Sequence, residues 1–350
     1  MTEPAAPVRV LVCEDSRTYA AALRRTLEHD GDITVAAVCA SAEEAIAALP
    51  RVKPDLVTMD IELPGMSGLE AVEQIMGSKP TPILVLSSHV GPQTKAAAAA
   101  LGAGALEALA KDDLDLGRPD GPAAATFRRR VKLLARARVI RHPRSRLRAR
   151  RTPPAARRDS RESSAVGIVA STGGPQALAT VLQALPADYP VPVLVVQHIS
   201  AGFIGGLVRW LDGAVPLPAR LAEDGAKLAR GIWVAPEGAH LKLGRSGRLV
   251  LDRVGDPGLH RPSGDVLLRS LADVAGAGAV AVVLTGMGRD GAAGAAKVRE
   301  AGGLAIAQDE DSSAVFGMPK VASELGVDLV LPPAEIARTL ATLHADRARR

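Results

Sequence analysis

The stretch Val8-Arg9-Val10-Leu11-Val12-Cys13, followed at once by Glu14-Asp15, decides how the first third of the chain is read. It is short and almost wholly apolar, which fits a strand covered on both faces better than one with a wet side. Similar runs return at Ile33–Cys39, Leu56–Met59, Ile83–Leu86 and Ala105–Ala110. Helix-like stretches such as Arg17–Glu28, Glu43–Leu49 and Leu69–Met76 lie between them. The alternation is a βα repeat and predicts a doubly wound α/β domain with a parallel sheet. In such sheets the chemistry sits beyond the carboxyl ends of the strands.

Those ends carry Glu14 and Asp15 after the first strand, Asp60 after the third, Ser87 after the fourth and Lys111 after the fifth. Clustered carboxylates repel one another and call for a cation; hard oxygen ligands suit Mg²⁺, which keeps waters and binds phosphate oxygens. An aspartate beside a divalent cation, a lysine and a hydroxyl is equipped to attack phosphorus and hold an acyl phosphate. Any one of these residues alone would read as a helix cap or a surface charge.

Taken together, the set resembles the receiver domain of two-component response regulators over roughly residues 8–117. The resemblance implies a flavodoxin-like fold, with Asp60 as phosphoacceptor inside Met59–Gly68. It also implies Glu14, Asp15 and Asp60 as Mg²⁺ ligands, and Ser87 and Lys111 as the phosphorylation switch. Two positions depart from the family: Asp112 follows the lysine where proline is usual, and Ala108 stands where an aromatic often reports phosphorylation. They bear on how the signal leaves the pocket.

A second pattern begins at Ala165–Ala170, a buried-strand run leading into Ser171-Thr172-Gly173-Gly174-Pro175 and a helical stretch from Gln176 to Leu185. Glycines permit the tight turn, Pro175 suits a first helical turn, and amides at a helix start suit an oxyanion. Ser171 can be read as a nucleophile or as a helix cap. Val193–Gln197 ends at His198, and Ala279–Thr285 ends at Gly286-Met287-Gly288-Arg289-Asp290-Gly291. Ser171, His198 and Asp290 together form a possible nucleophile, general base and orienting carboxylate, in a chain order that differs from those of the α/β-hydrolase, chymotrypsin and subtilisin triads. Gly286-x-Gly288-x-x-Gly291 also matches a dinucleotide-binding fingerprint, with Asp309 after the next apolar run, Leu304–Ala307. A nicotinamide oxidoreductase is therefore a competing reading, weakened because Asp290 would repel a pyrophosphate.

The strings around Ser171, His198, His260-Arg261-Pro262-Ser263-Gly264-Asp265, Met287–Gly291 and Gln308–Pro319 are similar to those of the chemotaxis protein-glutamate methylesterase (CheB) family. The resemblance implies a doubly wound, mainly parallel α/β methylesterase domain with Ser171, His198 and Asp290 as the triad. Thr172 and Met287 would lie at the oxyanion side of the pocket, and His260 nearby without an assigned step. It further implies hydrolysis of glutamate γ-methyl esters and deamidation of glutamines on methyl-accepting chemoreceptors, with no cofactor for the hydrolase. A chemotaxis-type sensor histidine kinase is the implied phosphodonor, and the unphosphorylated receiver would cover the active site. Gly264 stands where the family commonly has valine.

Composition frames these readings. With 350 residues and 47% hydrophobic content, the chain has the size and make-up for two globular domains. Aromatics are only 2%, too few for a base-stacking surface, which argues against a reader of single-stranded RNA or DNA, and no nucleic-acid partner is expected. No apolar run reaches membrane-spanning length and residues 1–7 lack a signal-peptide pattern, which leads to an expectation of a cytoplasmic protein without membrane insertion. Cys13 and Cys39 read as small core residues. The formal charge of +5 is concentrated: residues 118–161 carry +14, leaving −9 elsewhere. This predicts a receiver over 1–117, an Arg-rich linker over 118–161 and a catalytic domain over 162–350. The linker reads as a solvated tether or as a basic arm for an anionic partner, and it keeps a DNA-binding response regulator as a further alternative.

Overall fold

The computed structural model describes residues 6–87, 92–139, 164–254 and 260–345, which divide into two compact units. The first runs β1 (Val8–Cys13), α1 (Arg17–Glu28), β2 (Ile33–Cys39), α2 (Ala42–Val52), β3 (Leu56–Asp60), α3 (Gly68–Ser78), β4 (Ile83–Ser87), α4 (Pro92–Gly102), β5 (Glu107–Ala110) and α5 (Pro122–Leu134). All strand pairs are parallel, in the order β2-β1-β3-β4-β5. Leu11, Val57, Ile83 and Val85 are fully buried between the helical layers. Helix starts follow local chemistry: Ser16 and Ser41 cap α1 and α2, and Ser67 with Glu70 forms a capping box on α3. The strand order reverses between β1 and β3, so Glu14, Asp15 and Asp60 emerge side by side at the switch point.

The structure moves the start of the expected linker. Residues 122–134 form α5, whose Ala124, Phe127, Arg128, Val131 and Leu134 are buried. Their spacing is that of a core-facing helix stripe, masked in the sequence by the arginines around it. Those charges are engaged locally. Arg128, 3% exposed, donates to Asp30 Oδ2 and the Pro119 carbonyl at 2.6 Å and to the Thr26 carbonyl at 3.3 Å. Arg130 pairs with Glu107 and Lys132 with Asp32. The more basic stretch, 140–161, lies outside the described residues.

From residue 164 the order is β6 (Ala165–Ala170), α6 (Gly174–Gln183), β7 (Val193–Gln197), α7 (Ile204–Ala214), β8 (Ala219–Leu221), β9 (Ile232–Val234), β10 (His240–Leu243), β11 (Leu249–Asp252), α8 (Gly264–Ala275), β12 (Ala279–Val283), α9 (Ala292–Glu300), β13 (Leu304–Gln308), α10 (Met318–Glu324), β14 (Leu329–Leu331) and α11 (Pro333–Ala345). Seven strands form a parallel sheet in the order β14-β13-β12-β6-β7-β9-β8. The chain winds outward from β6 toward β7 and, later, from β12 toward β14, which puts the second switch point at the carboxyl ends of β6 and β12. The antiparallel pair β10–β11 has no counterpart in the expected pattern; each strand has four residues, too few to show a period. Among the described residues no helix is long and apolar enough to cross a membrane.

Candidate functional sites

In the first unit, three carboxylates and a lysine meet as the strand ends require. Oxygens of Glu14, Asp15 and Asp60 lie within 4.8 Å of one another, and Glu14 and Asp60 are each 3% exposed. Lys111 Nζ lies 2.6 Å from Asp60 Oδ2 and 2.8 Å from Glu14 Oε2. The Glu62 amide donates to the other Asp60 oxygen at 3.0 Å. Burial raises the Glu14 pKa against the lowering effect of Lys111, and the Asp60 charge adds to the rise. Burial alone would lower the Lys111 pKa, but the two carboxylates raise it above the ordinary lysine value. One ammonium thus pairs with two of three clustered carboxylates, a donor set that fits a further hard cation. Ser87 ends β4 at the same sheet edge, in register with Ala110 beside Lys111, and is 2% exposed. Tyr19, absent from the sequence reading, places its ring 4.6 Å from Lys111 Nζ and its hydroxyl 3.4 Å from the Lys111 carbonyl.

In the second unit, Ser171, His198 and Asp290 follow three neighbouring strands, β6, β7 and β12. Ala170 and Gln197 are register partners, so Ser171 and His198 leave adjacent strands together. The His198 amide donates to the Ala170 carbonyl at 2.9 Å. Gln197 bridges the two strand ends, its Nε2 donating to the Ser171 and His198 carbonyls at 2.8 Å. Gly173 adopts φ 71°, a left-handed turn that opens α6. A Cβ on Gly286 would lie 2.6 Å from Ser171 Cβ, so a glycine is needed for the Met287 segment to approach the serine. Met287 is half-buried beside it. Thr172 is 2% exposed, and its carbonyl accepts from Thr285 Oγ1 at 3.0 Å.

His198 Nε2 lies 2.9 Å from Asp290 Oδ2, leaving Nδ1 as the other ring nitrogen. The start of α8 surrounds the same carboxylate. Ser263 Oγ and the Asp265 amide donate to Oδ1 at 2.8 and 3.0 Å, and the Gly264 amide donates to Oδ2 at 2.6 Å. Burial would raise the Asp290 pKa, but the bonds from His198, Asp265 and Gly264 outweigh it and hold the carboxyl well below the usual range. The His260 ring lies against that of His198, with centroids 4.9 Å apart and planes tilted by 32°. Behind Ser263, its amide donates to His240 Nδ1 at 3.1 Å. Neither Ser263 nor His240 was singled out by sequence; a serine before the apolar run of α8 signals a cap, not a contact with a distant loop.

The dinucleotide reading fails on this geometry. Asp290 turns its carboxylate to His198 and α8, and Asp309 Oδ1 is engaged by the amide and hydroxyl of Ser312. The acid that would take a ribose is thus committed to its own turn.

Comparison with known proteins agrees with both halves. The CheB methylesterase family model matches residues 166–340, and the response regulator receiver domain model matches residues 10–116. Protein-glutamate methylesterase/protein-glutamine glutaminase 3 of Anaeromyxobacter dehalogenans is 43% identical over 341 residues, spanning 95% of this chain and 98% of that one. The protein named methylesterase/glutaminase 4 in Myxococcus xanthus is 41% identical over 90% of both chains. The crystal structure of the Thermotoga maritima CheB methylesterase catalytic domain shares 39% identity and covers 52% of this chain and 99% of its own, with a TM-score of 0.50. With relatives at this identity along nearly the whole chain, and a receiver preceding the esterase domain, the protein belongs to the CheB family of protein-glutamate methylesterases/protein-glutamine glutaminases.

Proposed function

We propose that the chain is a phosphorylation-regulated hydrolase that removes methyl groups from glutamate γ-methyl esters of methyl-accepting chemoreceptors and deamidates selected receptor glutamines. The observation that carries the chemistry is the His198–Asp290 pair beside Ser171 at the sheet switch point. Ser171 Oγ attacks the side-chain carbonyl carbon while its proton passes to His198 Nδ1. Asp290 accepts the Nε2–H bond, fixing the tautomer and stabilising the imidazolium. Backbone amides of the Thr172 and Met287 segments face the oxyanion of the tetrahedral intermediate, each worth about 3–4 kcal/mol in comparable sites. Collapse breaks the bond to the leaving group, which takes the proton from His198 and departs as methanol or, from glutamine, as ammonia. Water then gives a proton to His198, attacks the acyl-serine and releases the glutamate carboxylate and free Ser171.

Asp60 is the phosphoacceptor, taking the phosphoryl group of a chemotaxis-type histidine kinase or a small phosphodonor. Glu14, Asp15 and Asp60 would hold Mg²⁺, which when bound neutralises charge on the phosphoryl oxygens. Lys111 orients Asp60 and carries positive charge to the new phosphate, and Ser87 is the hydroxyl that responds to it. The work takes place in the cytoplasm, where receptor signalling helices present their glutamates. Moving an equilibrium from 1:99 to 99:1 requires about 5.5 kcal/mol, so partial activation by phosphorylation is expected.

The test is mass spectrometry of a methylated receptor fragment incubated with the full chain. Loss of methyl esters and conversion of glutamine to glutamate with the wild type, and neither with Ser171→Ala, is expected. Equal conversion by the variant would remove Ser171 from the chemistry, and no conversion by either would remove this substrate class.

A further inference from the structure

Asp290 is held more tightly than pairing with a histidine demands. A carboxylate offers about four acceptor directions, and here all four are used, two on each oxygen. Three of the donors come from Ser263, Gly264 and Asp265, so rotation of the carboxylate would break bonds to α8 as well as to His198. Ser263 is wholly buried, and its hydroxyl lies 2.8 Å from Asp290 but 3.5 Å from the Val266 amide that it caps. The shorter bond is the one to the acid.

His240 stands one step further back. It is 1% exposed, accepts the Ser263 N–H at Nδ1, and leaves Nε2 without a hydrogen-bond partner among the described residues. Accepting at Nδ1 places the ring proton on Nε2, where burial leaves it unsatisfied at a cost. An apolar residue would avoid that cost but would strand the Ser263 amide. Burial and the nearby Arg261 charge lower the His240 pKa, against the raising influence of Asp252 and Asp290, which keeps the ring neutral and its lone pair available.

We propose that Ser263 and His240 are positioning residues for the hydrolysis, Ser263 fixing the Asp290 carboxylate through its hydroxyl and His240 fixing Ser263 through its backbone amide. Neither touches the substrate. Withdrawing the Ser263 donor leaves more negative charge on Asp290 facing His198, so His198 becomes more basic and its ring less firmly oriented. This inference rests on the triad assignment above.

The experiment uses Ser263→Ala, Ser263→Thr, His240→Leu and His240→Asn in the full chain. Two readouts are taken: the pH profile of kcat/KM for methanol release, and the titration of the His198 ring nitrogens by ¹⁵N NMR. Ser263→Ala should raise the acid limb and the His198 titration together by about half a pH unit and lower kcat about tenfold, with KM little changed. Ser263→Thr, which keeps the hydroxyl, should restore both. His240→Leu should lower kcat, and His240→Asn, whose amide oxygen can stand in for Nδ1, should recover it. If Ser263→Ala lowers only the melting temperature and leaves the His198 titration in place, Ser263 is a helix cap and the proposal is overturned. A wild type that releases no methanol would sink the proposed substrate, while the His198 titration would still decide this inference.

Discussion

Replacing Asp290 by Asn removes one charge and keeps the side-chain shape, yet the surroundings of Asp290 make it a severe change. Each carboxylate oxygen accepts two donors, whereas an amide has one oxygen and an NH₂. Turned toward Ser263, the NH₂ confronts the Asp265 amide and strands a buried donor, at about 1–3 kcal/mol. Turned toward His198, it confronts the Gly264 amide and forces Nε2 to become the acceptor. The proton then sits on Nδ1, the nitrogen that must receive the serine proton. In serine hydrolases the corresponding tautomer error costs about 10⁴ in kcat, equivalent to roughly 5.5 kcal/mol in the barrier. The expected result is a kcat for methanol release lower by about 10³–10⁴, KM within a few-fold, and a lowered melting temperature. The Asp290 pKa is lower in the folded state, so its contribution to stability is complete above about pH 3.9 and is lost as pH falls through the folded value. The stability gap between wild type and variant should therefore narrow only below about pH 4. An Asn variant within tenfold of wild-type kcat would refute the reasoning, because the charge and tautomer would then not matter.

Gly264→Ala would put a Cβ 2.3 Å from Val169 Cγ1, a clash worth about 1–3 kcal/mol that also lifts the α8 amides from Asp290; combining it with Val169→Ala should recover much of the stability and activity, measured as a double-mutant cycle. Lys111→Met leaves Glu14 and Asp60 without their shared cation, so Mg²⁺ should raise the melting temperature more in the variant than in the wild type, while labelling of Asp60 by a small phosphodonor slows at least tenfold. Arg128→Ala should destabilise the first unit by about 1–3 kcal/mol in urea titration, since the buried Thr26 carbonyl and the half-buried Pro119 carbonyl lose their donor.

The strands were legible because each buried run is almost wholly apolar: Val8–Cys13, Ala165–Ala170 and Val193–Gln197 keep the bounds that their sequence suggests. The residues at their ends were legible for the same reason, since a parallel sheet delivers consecutive strand ends to one edge. Helix α5 was not, because its apolar stripe is interrupted by Arg128, a charge that folding buries against three acceptors. The grip on Asp290 was not legible either. It depends on the start of α8 meeting a loop after β12, a tertiary approach that leaves no local period. Gly264, which departs from the valine common in the family, becomes intelligible beside Val169, whose side chain fills the space a larger residue would take.

The most direct measurement of the whole account is methanol release from a methylated chemoreceptor by wild type and Asp60→Asn, each with Mg²⁺ and with or without a small phosphodonor. Phosphodonor should raise the wild-type rate, and the variant should keep the basal rate without responding. Equal stimulation of both proteins would contradict it, because the control would then not run through Asp60.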